Sequence, residues 1–191
     1  MRTNKEGSLK NIKYLALVLI LYSGASNASN ITHDNVMPMV TKSAKEFGER
    51  RANLFQPDSK ISDAIGEGFV IPEDLREMPG EKIFIAGCRR HSCIEKAAAV
   101  VDKKNAKVIA FAIRNFECSY VLATGERNIP TGKSKSPVTC DREPLLSVYV
   151  LRTKKLATRP ESEVEAVNNL SEWGKKVGAE RKTLYIVENN E

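Results

Sequence analysis

The sequence lacks any long hydrophobic run, and it has only two histidines, one tryptophan and four cysteines among its 191 residues. Its most apolar stretch, Tyr14 to Tyr22, spans nine residues. As a helix, such a stretch reaches about 14 Å, roughly half of the hydrocarbon core of a bilayer. The sequence therefore predicts no membrane-spanning helix.

The chain also lacks a strong excess of one charge. Its formal net charge is +6, of which the first 28 residues contribute +3 through Arg2, Lys5, Lys10 and Lys13 against Glu6. The remaining residues thus carry only +3, with both signs mixed along the chain. This balance predicts no phosphate-binding surface and no nucleic-acid partner. An apolar fraction of 41% further excludes collagen, a coiled coil and a wholly disordered chain.

Motifs of common enzymes are missing as well. Residues 132–134 read Gly-Lys-Ser, but the upstream glycine of a phosphate-binding loop is absent and no helix is predicted to follow. Asp and Glu form no paired pattern on one element that would indicate hydrolysis. No Cys-x-x-Cys indicates a thiol redox centre. We therefore expect no enzymatic activity and no cofactor.

The amino terminus has the three parts of a secretory signal peptide. Basic residues up to Lys13 precede the apolar run, and Ser26-Asn27-Ala28 follows as a small-residue cleavage site, with Ser23-Gly24-Ala25 as a second choice. An uncleaved interfacial anchor is the alternative. The pattern predicts a signal peptide over 1–28 and a single domain over 29–191. The mature protein is then expected to be periplasmic or secreted, without stable membrane insertion after cleavage.

An oxidising compartment makes disulfides the default state of the four cysteines, which lie at Cys88, Cys93, Cys118 and Cys140. Four cysteines allow three connectivities, and proximity in sequence favours Cys88–Cys93 and Cys118–Cys140. The second link would stabilise the fold by roughly 3 kcal/mol in the chain-entropy model. The first closes a short loop, so it matters more for local shape.

Hydrophobic periodicity predicts an α+β fold with an antiparallel sheet of about five strands between an N-terminal and a C-terminal helix. The predicted helices cover 33–54, 59–65 and a segment from a Thr158 capping box to Gly178, with Trp173 on the apolar face of the last. The predicted strands cover 82–86, 94–101, 107–113, 118–123, 145–151 and 183–187. Residues 72–80 are predicted to be a connector, and residues 124–137 a loop.

One constellation stands out in the segment Cys88-Arg89-Arg90-His91-Ser92-Cys93, between two predicted strands. A disulfide across it would fix a loop that carries one histidine and two arginines. Such a loop suits a cleft that holds carboxylates, because Arg and protonated His both donate charge-assisted hydrogen bonds. Zinc binding would need a fourth ligand, and a Cys–His catalytic pair would lose its nucleophile to the disulfide. A braced turn with no function remains the plain alternative.

This segment resembles the Ivy family, the periplasmic inhibitors of vertebrate lysozyme, whose loop reads Cys-Lys-Pro-His-Asp-Cys. Cys88 and Cys93 match the bracketing cysteines, Arg89 the basic position and His91 the inhibitory histidine, whereas Arg90 and Ser92 replace Pro and Asp. The resemblance covers about residues 82 to 115. It implies that the loop enters the active-site cleft of a lysozyme, with His91 between the catalytic carboxylates.

Two interpretations follow from these observations. The first is an exported inhibitor of a lysozyme or related cell-wall hydrolase that binds through His91, Arg89, Arg90 and Ser92. The second is a disulfide-braced binding or host-interaction module for another target, and an enzyme ranks third. An exposed His91 at a loop apex favours the first, whereas a buried one favours the second. Pairing into a homodimer is left open by the sequence.

Overall fold

The computed structural model describes residues 31–121, 127–128, 138–152, 158–179 and 181–188. The chain divides into two units, Met1–Asn30 and Ile31–Glu191. The predicted signal peptide lies outside the described residues, as does most of the predicted loop over 124–137. In the part of the chain that the structure describes, no helix combines the length and apolarity needed to cross a membrane.

The N-terminal helix, α1 (His33–Ala44), continues into a short 3₁₀ turn, Lys45–Phe47. The prediction of a helix to Leu54 is wrong, because Gly48 takes a left-handed φ of 55° and ends the helical segment. A small antiparallel hairpin follows, formed by β1 (Arg51–Ala52) and β2 (Ser59–Lys60). The second helix, α2 (Ile61–Gly68), begins and ends slightly later than predicted.

Six strands form the main sheet. They are β3 (Ile71–Met78), β4 (Lys82–Arg89), β5 (Ser92–Asp102), β6 (Lys107–Asn115), β10 (Leu145–Arg152) and β11 (Arg181–Glu188). Their spatial order is β11-β10-β6-β5-β4-β3, and all neighbours are antiparallel except β10 and β11. The predicted α+β class and mainly antiparallel sheet are confirmed.

The segment predicted to be a connector over 72–80 is instead the edge strand β3. Half of its residues are charged and it contains Pro72, so the strand shows no apolar alternation in the sequence. An edge position explains both features, since Pro and charged side chains are tolerated where no second neighbour pairs.

The last strand runs parallel to its neighbour because the helix α3 (Glu161–Lys176) lies between them in the chain. Only an antiparallel sheet was expected, so this pair is a correction. Helix α3 is preceded by Pro160 at the N-cap without a side-chain hydrogen bond, so the predicted Thr158 capping box does not form. Its end matches the prediction, since Gly178 follows with a φ of 76°.

A second, small sheet stands apart from the main one. It consists of β7 (Cys118–Val121), β8 (Arg127–Asn128) and β9 (Val138–Cys140), in the order β8-β7-β9. The strand expected from Cys118 therefore exists but does not join the main sheet.

The main sheet separates two apolar clusters. Alternate residues of each strand face opposite sides, so Ile83 and Ile85 join the cluster beneath α1 and α2, whereas Phe84 and Ala86 join the cluster beneath α3. Trp173 lies in the second cluster and is 6% exposed, which confirms its predicted place in the core. The resulting three layers leave the β4–β5 turn at one end of the sheet.

Candidate functional site

The turn between β4 and β5 is closed by the predicted disulfide Cys88–Cys93, with Cα atoms 4.8 Å apart. Arg89 pairs with Ser92 in the strand ladder, so Arg90 and His91 form the turn itself. The register of the β4–β5 ladder shifts at this point, since the next residue of β4, Cys88, pairs with Lys96. The residues from Cys93 to Glu95 have no ladder partner on β4 and bulge from β5, and this bulge places Cys93 beside Cys88.

His91 lies at the apex of this turn, and its side chain is exposed. Its φ of 65° is left-handed, a region in which His is one of the more tolerated residues with a side chain. Within the described residues, neither His91 nor its exposed neighbour Arg90 has a hydrogen bond or ion pair. Both side chains are therefore available to a partner, as the first interpretation of the sequence requires.

Arg89 lies differently from its neighbours. Its Nη1 donates to Glu95 Oε2 at 2.8 Å, and its Nε lies 2.8 Å from Glu67 Oε2. Its guanidinium also lies over the ring of Phe55, 5.5 Å from the centroid. The hydrogen bond to Glu95 is the main reason that the pKa of Arg89 is raised. These contacts hold Arg89 at the base of the loop, and its predicted contact with a target stays a prediction.

A close approach between α2 and the sheet brings Glu67 to Arg89. Gly68 ends α2, and a Cβ there would lie only 2.5 Å from Cβ of Ala97. Gly87, the register partner of Ala97, is equally crowded, since its Cβ would lie 2.8 Å from the carbonyl oxygen of Ile71. Small residues at these positions therefore let the helix end directly against the base of the loop.

Further contacts hold the β5 bulge and the face of the sheet that lies opposite α2. Arg114 donates through Nη1 to the Ile94 carbonyl and through Nε to the Val177 carbonyl, the latter at 2.7 Å. It thus links the bulge to the end of α3. Lys96 forms an ion pair with Glu73 on β3. With the disulfide, these contacts fix the base of the loop on both faces of the sheet and leave its apex free.

Glu73 also lies close to the disulfide. One of its carboxylate oxygens and the sulfurs of Cys88 and Cys93 lie within 4.8 Å of one another. Because the two sulfurs are bonded to each other, they are not thiolates and do not act as metal ligands in this form. The trio therefore offers a single carboxylate rather than a zinc ligand set.

Sequence reasoning missed an apolar surface next to the loop. Ile94 is 60% exposed, and Val70 and Ile71 are 43% and 39% exposed. Ile71 pairs with Cys88, Val70 precedes Ile71, and Ile94 follows Cys93, so each lies close in sequence or register to one of the two bonded cysteines. We call these three residues the apolar collar. The sequence carried no signal for this surface, since the exposure of Ile94 depends on the bulge in β5.

A polar cleft of about 260 Å³ lies on the α2 side of the loop. Phe55 forms part of its wall, and its charges come from Arg51, Asp58, Lys60, Asp63 and Glu67. Glu67 and Phe55 also contact Arg89, so the cleft and the base of the loop share residues. The charges in the cleft are already paired in part, as Arg51 with Asp58 at 3.4 Å shows.

The fold and the loop together define a class of protein: a disulfide-braced α+β domain that presents a closed cationic turn at one end of its sheet. No protein family, no curated protein and no solved structure matches the chain. The function is therefore inferred from the geometry of the loop.

Proposed function

We propose that this protein is an exported inhibitor of a lysozyme or related cell-wall glycosidase, and that His91 enters the target's active-site cleft. One observation carries the proposal. An unpaired, exposed His91 stands at the apex of a disulfide-closed turn whose base is held by ion pairs. A loop fixed in this way loses little conformational entropy when it binds.

The chemistry of the target explains the choice of histidine. Glycosidases of this kind use two carboxyl groups, one as acid and one as nucleophile or base. A protonated imidazole donates from both ring nitrogens, so it bonds to two carboxylates at once. Occupying both groups blocks substrate binding and proton transfer together, without any catalysis by the inhibitor. Arg90 adds an exposed guanidinium beside His91 and suits the rim of an anionic cleft.

The apolar collar supports a protein target over a small ligand. Exposed apolar side chains that flank a polar apex are typical of a protein-binding surface. The same observation favours the second candidate function, a binding module for a protein other than a glycosidase. The two candidates differ in what His91 must meet, since only a glycosidase supplies a pair of carboxylates.

Inhibition of lysis of bacterial cell walls by a lysozyme tests the proposal. The oxidised protein over 29–191 should slow lysis, and His91→Ala should lose most of the effect with an unchanged unfolding transition, because an exposed apex side chain contributes little to stability. Lys104→Ala, at the exposed β5–β6 turn, is the matched control and should inhibit like the wild type. Equal inhibition by His91→Ala and wild type would show that another surface acts.

A competition experiment separates the two candidates. An oligosaccharide substrate analogue that fills the glycosidase cleft should release the inhibitor, since both require the same carboxylates. Binding to the enzyme that persists in excess oligosaccharide would contradict insertion of the loop. It would leave the binding-module interpretation as the better one.

A further inference from the structure

Among the described residues no strand pairs with the outer edge of β11, and at its end Arg50 Nη2 donates to the Glu188 carbonyl at 3.3 Å. Near its centre, Tyr185 and Ile186 are 42% and 44% exposed. The opposite edge, β3, is protected by Pro72, a bulge and a series of charged side chains. Such features prevent strands from pairing across molecules. The centre of β11 has none of them.

We propose that β11 pairs antiparallel with β11 of a second copy of this chain, about a two-fold axis at Tyr185. In this register Tyr185 lies opposite the partner's Tyr185, and Leu184 lies opposite the partner's Ile186. Lys182 lies opposite the partner's Glu188, and the symmetry repeats this pair at the other end. The strand is therefore complementary to itself in both charge and apolar character.

The faces of the sheet agree with this register. Leu184 and Ile186 are register partners of Val148 and Val150, which lie in the cluster beneath α3. Tyr185 lies on the other face and stacks on Tyr149, with ring centroids 4.9 Å apart. Residues directly opposite in an antiparallel pair share a face, and in this register every such pair does.

Neighbouring registers are less favourable. An axis at Leu184 would place Lys182 opposite an isoleucine, and an axis at Ile186 would place Leu184 opposite Glu188. Only the axis at Tyr185 combines two opposite-charge pairs with two apolar pairs. Lys182 also donates to Ser171 Oγ at 3.0 Å, and its ammonium has further donors for the partner's carboxylate.

The assembly would leave the β4–β5 loop free, because β11 and β4 lie near opposite edges of the sheet. The inference is thus independent of the proposed inhibition. One added strand pair buries less area than a standard permanent interface, so we expect a dimer in equilibrium with the monomer.

Sedimentation equilibrium over a concentration series tests the pairing with charge-reversal variants. Lys182→Glu and Glu188→Lys should each weaken the dimer about tenfold or more, because like charges then face each other twice. The double variant should restore the wild-type dissociation constant. Circular dichroism and thermal unfolding verify that each variant is folded.

A second measurement needs no variant, since the wild-type dimer should weaken as salt screens the Lys182–Glu188 pairs. A monomer at every wild-type concentration would overturn the proposal. A dimer that neither charge reversal weakens, or that the double variant does not restore, would overturn it equally.

Discussion

The two disulfides belong to different parts of the molecule and do different things. Cys88–Cys93 spans five positions at the end of the main sheet, across a slip in the β4–β5 ladder. Cys118–Cys140 spans 22 positions and joins directly paired residues of the small sheet, with Cα atoms 4.0 Å apart. The first sets the shape of an exposed turn, whereas the second connects distant parts of the chain. We therefore expect loss of Cys118–Cys140 to affect mainly stability, and loss of Cys88–Cys93 to affect mainly binding.

Removal of the long-range bond should have the largest effect on stability. Cys118→Ala with Cys140→Ala should lower the free energy of unfolding by about 3 kcal/mol, because the unfolded chain regains the entropy of an open loop. The proposed inhibition, measured per folded protein, should stay at the wild-type level, since neither residue belongs to the β4–β5 loop. Urea denaturation and the wall-lysis assay measure the two quantities on one preparation. A loss of inhibition without a loss of stability would contradict this division.

Removal of the Cys88–Cys93 disulfide should reduce inhibition strongly and stability only slightly. Cys88→Ala with Cys93→Ala should cost about 2 kcal/mol or less in the same model, since the loop it closes is short. Inhibition should fall much more than stability does, because the apex of the turn is then free to move. The ratio of the two losses, compared with that of the other double variant, is the decisive result. Full inhibition without this bond would show that the ion pairs alone hold the loop.

The contacts of Arg89 provide a smaller test of how the base of the loop is held. Glu95 is nearly buried, so Glu95→Gln should lower the free energy of unfolding by about 1 kcal/mol through loss of a charge-assisted hydrogen bond. Glu67 is about half exposed, and Glu67→Gln should cost less than about 0.5 kcal/mol. Thermal unfolding of the two variants at low salt compares them directly. Equal effects would mean that burial does not decide the strength of the pair.

The smallest expected effect is a slight stabilisation of the fold by a substitution at His91. His91→Gly should leave the free energy of unfolding unchanged or raise it by less than about 1 kcal/mol, because glycine adopts the observed left-handed φ without strain. His91→Ala keeps a Cβ and should show no such gain. Both variants should lose inhibition. A clear destabilisation by glycine would show that the imidazole contributes to folding.

The sequence predicts those parts of the fold that are buried on both faces. β4 and β10 are short apolar runs and could be located by composition alone. β3 was missed since its exposure at the edge allows charged residues and a proline. The parallel pairing of β11 was missed too, although the sequence predicted a helix between the last two strands and such a connection is typical of a parallel pair.

The candidate site was likewise predictable only in part. Two cysteines that bracket a histidine between two strands indicated the closed turn and its exposed apex. The position of Arg89 was not predictable, because its partner Glu67 reaches it only through the close approach of Gly68 to Ala97. That approach depends on how α2 packs on the sheet. The apolar collar likewise depends on the register slip, which no residue pattern encodes.

The parallel strand β11 has a consequence for how the chain avoids aggregation. Every residue of β10 is buried in the finished fold. Until β11 is in place, β10 is an apolar sheet edge with unpaired backbone groups, and such edges recruit other chains. Because α3 precedes β11 in the chain, this exposure lasts through the synthesis of an entire helix. A chain cut before Arg181 should therefore be captured by chaperones or precipitate, even though its loop and both disulfides are complete.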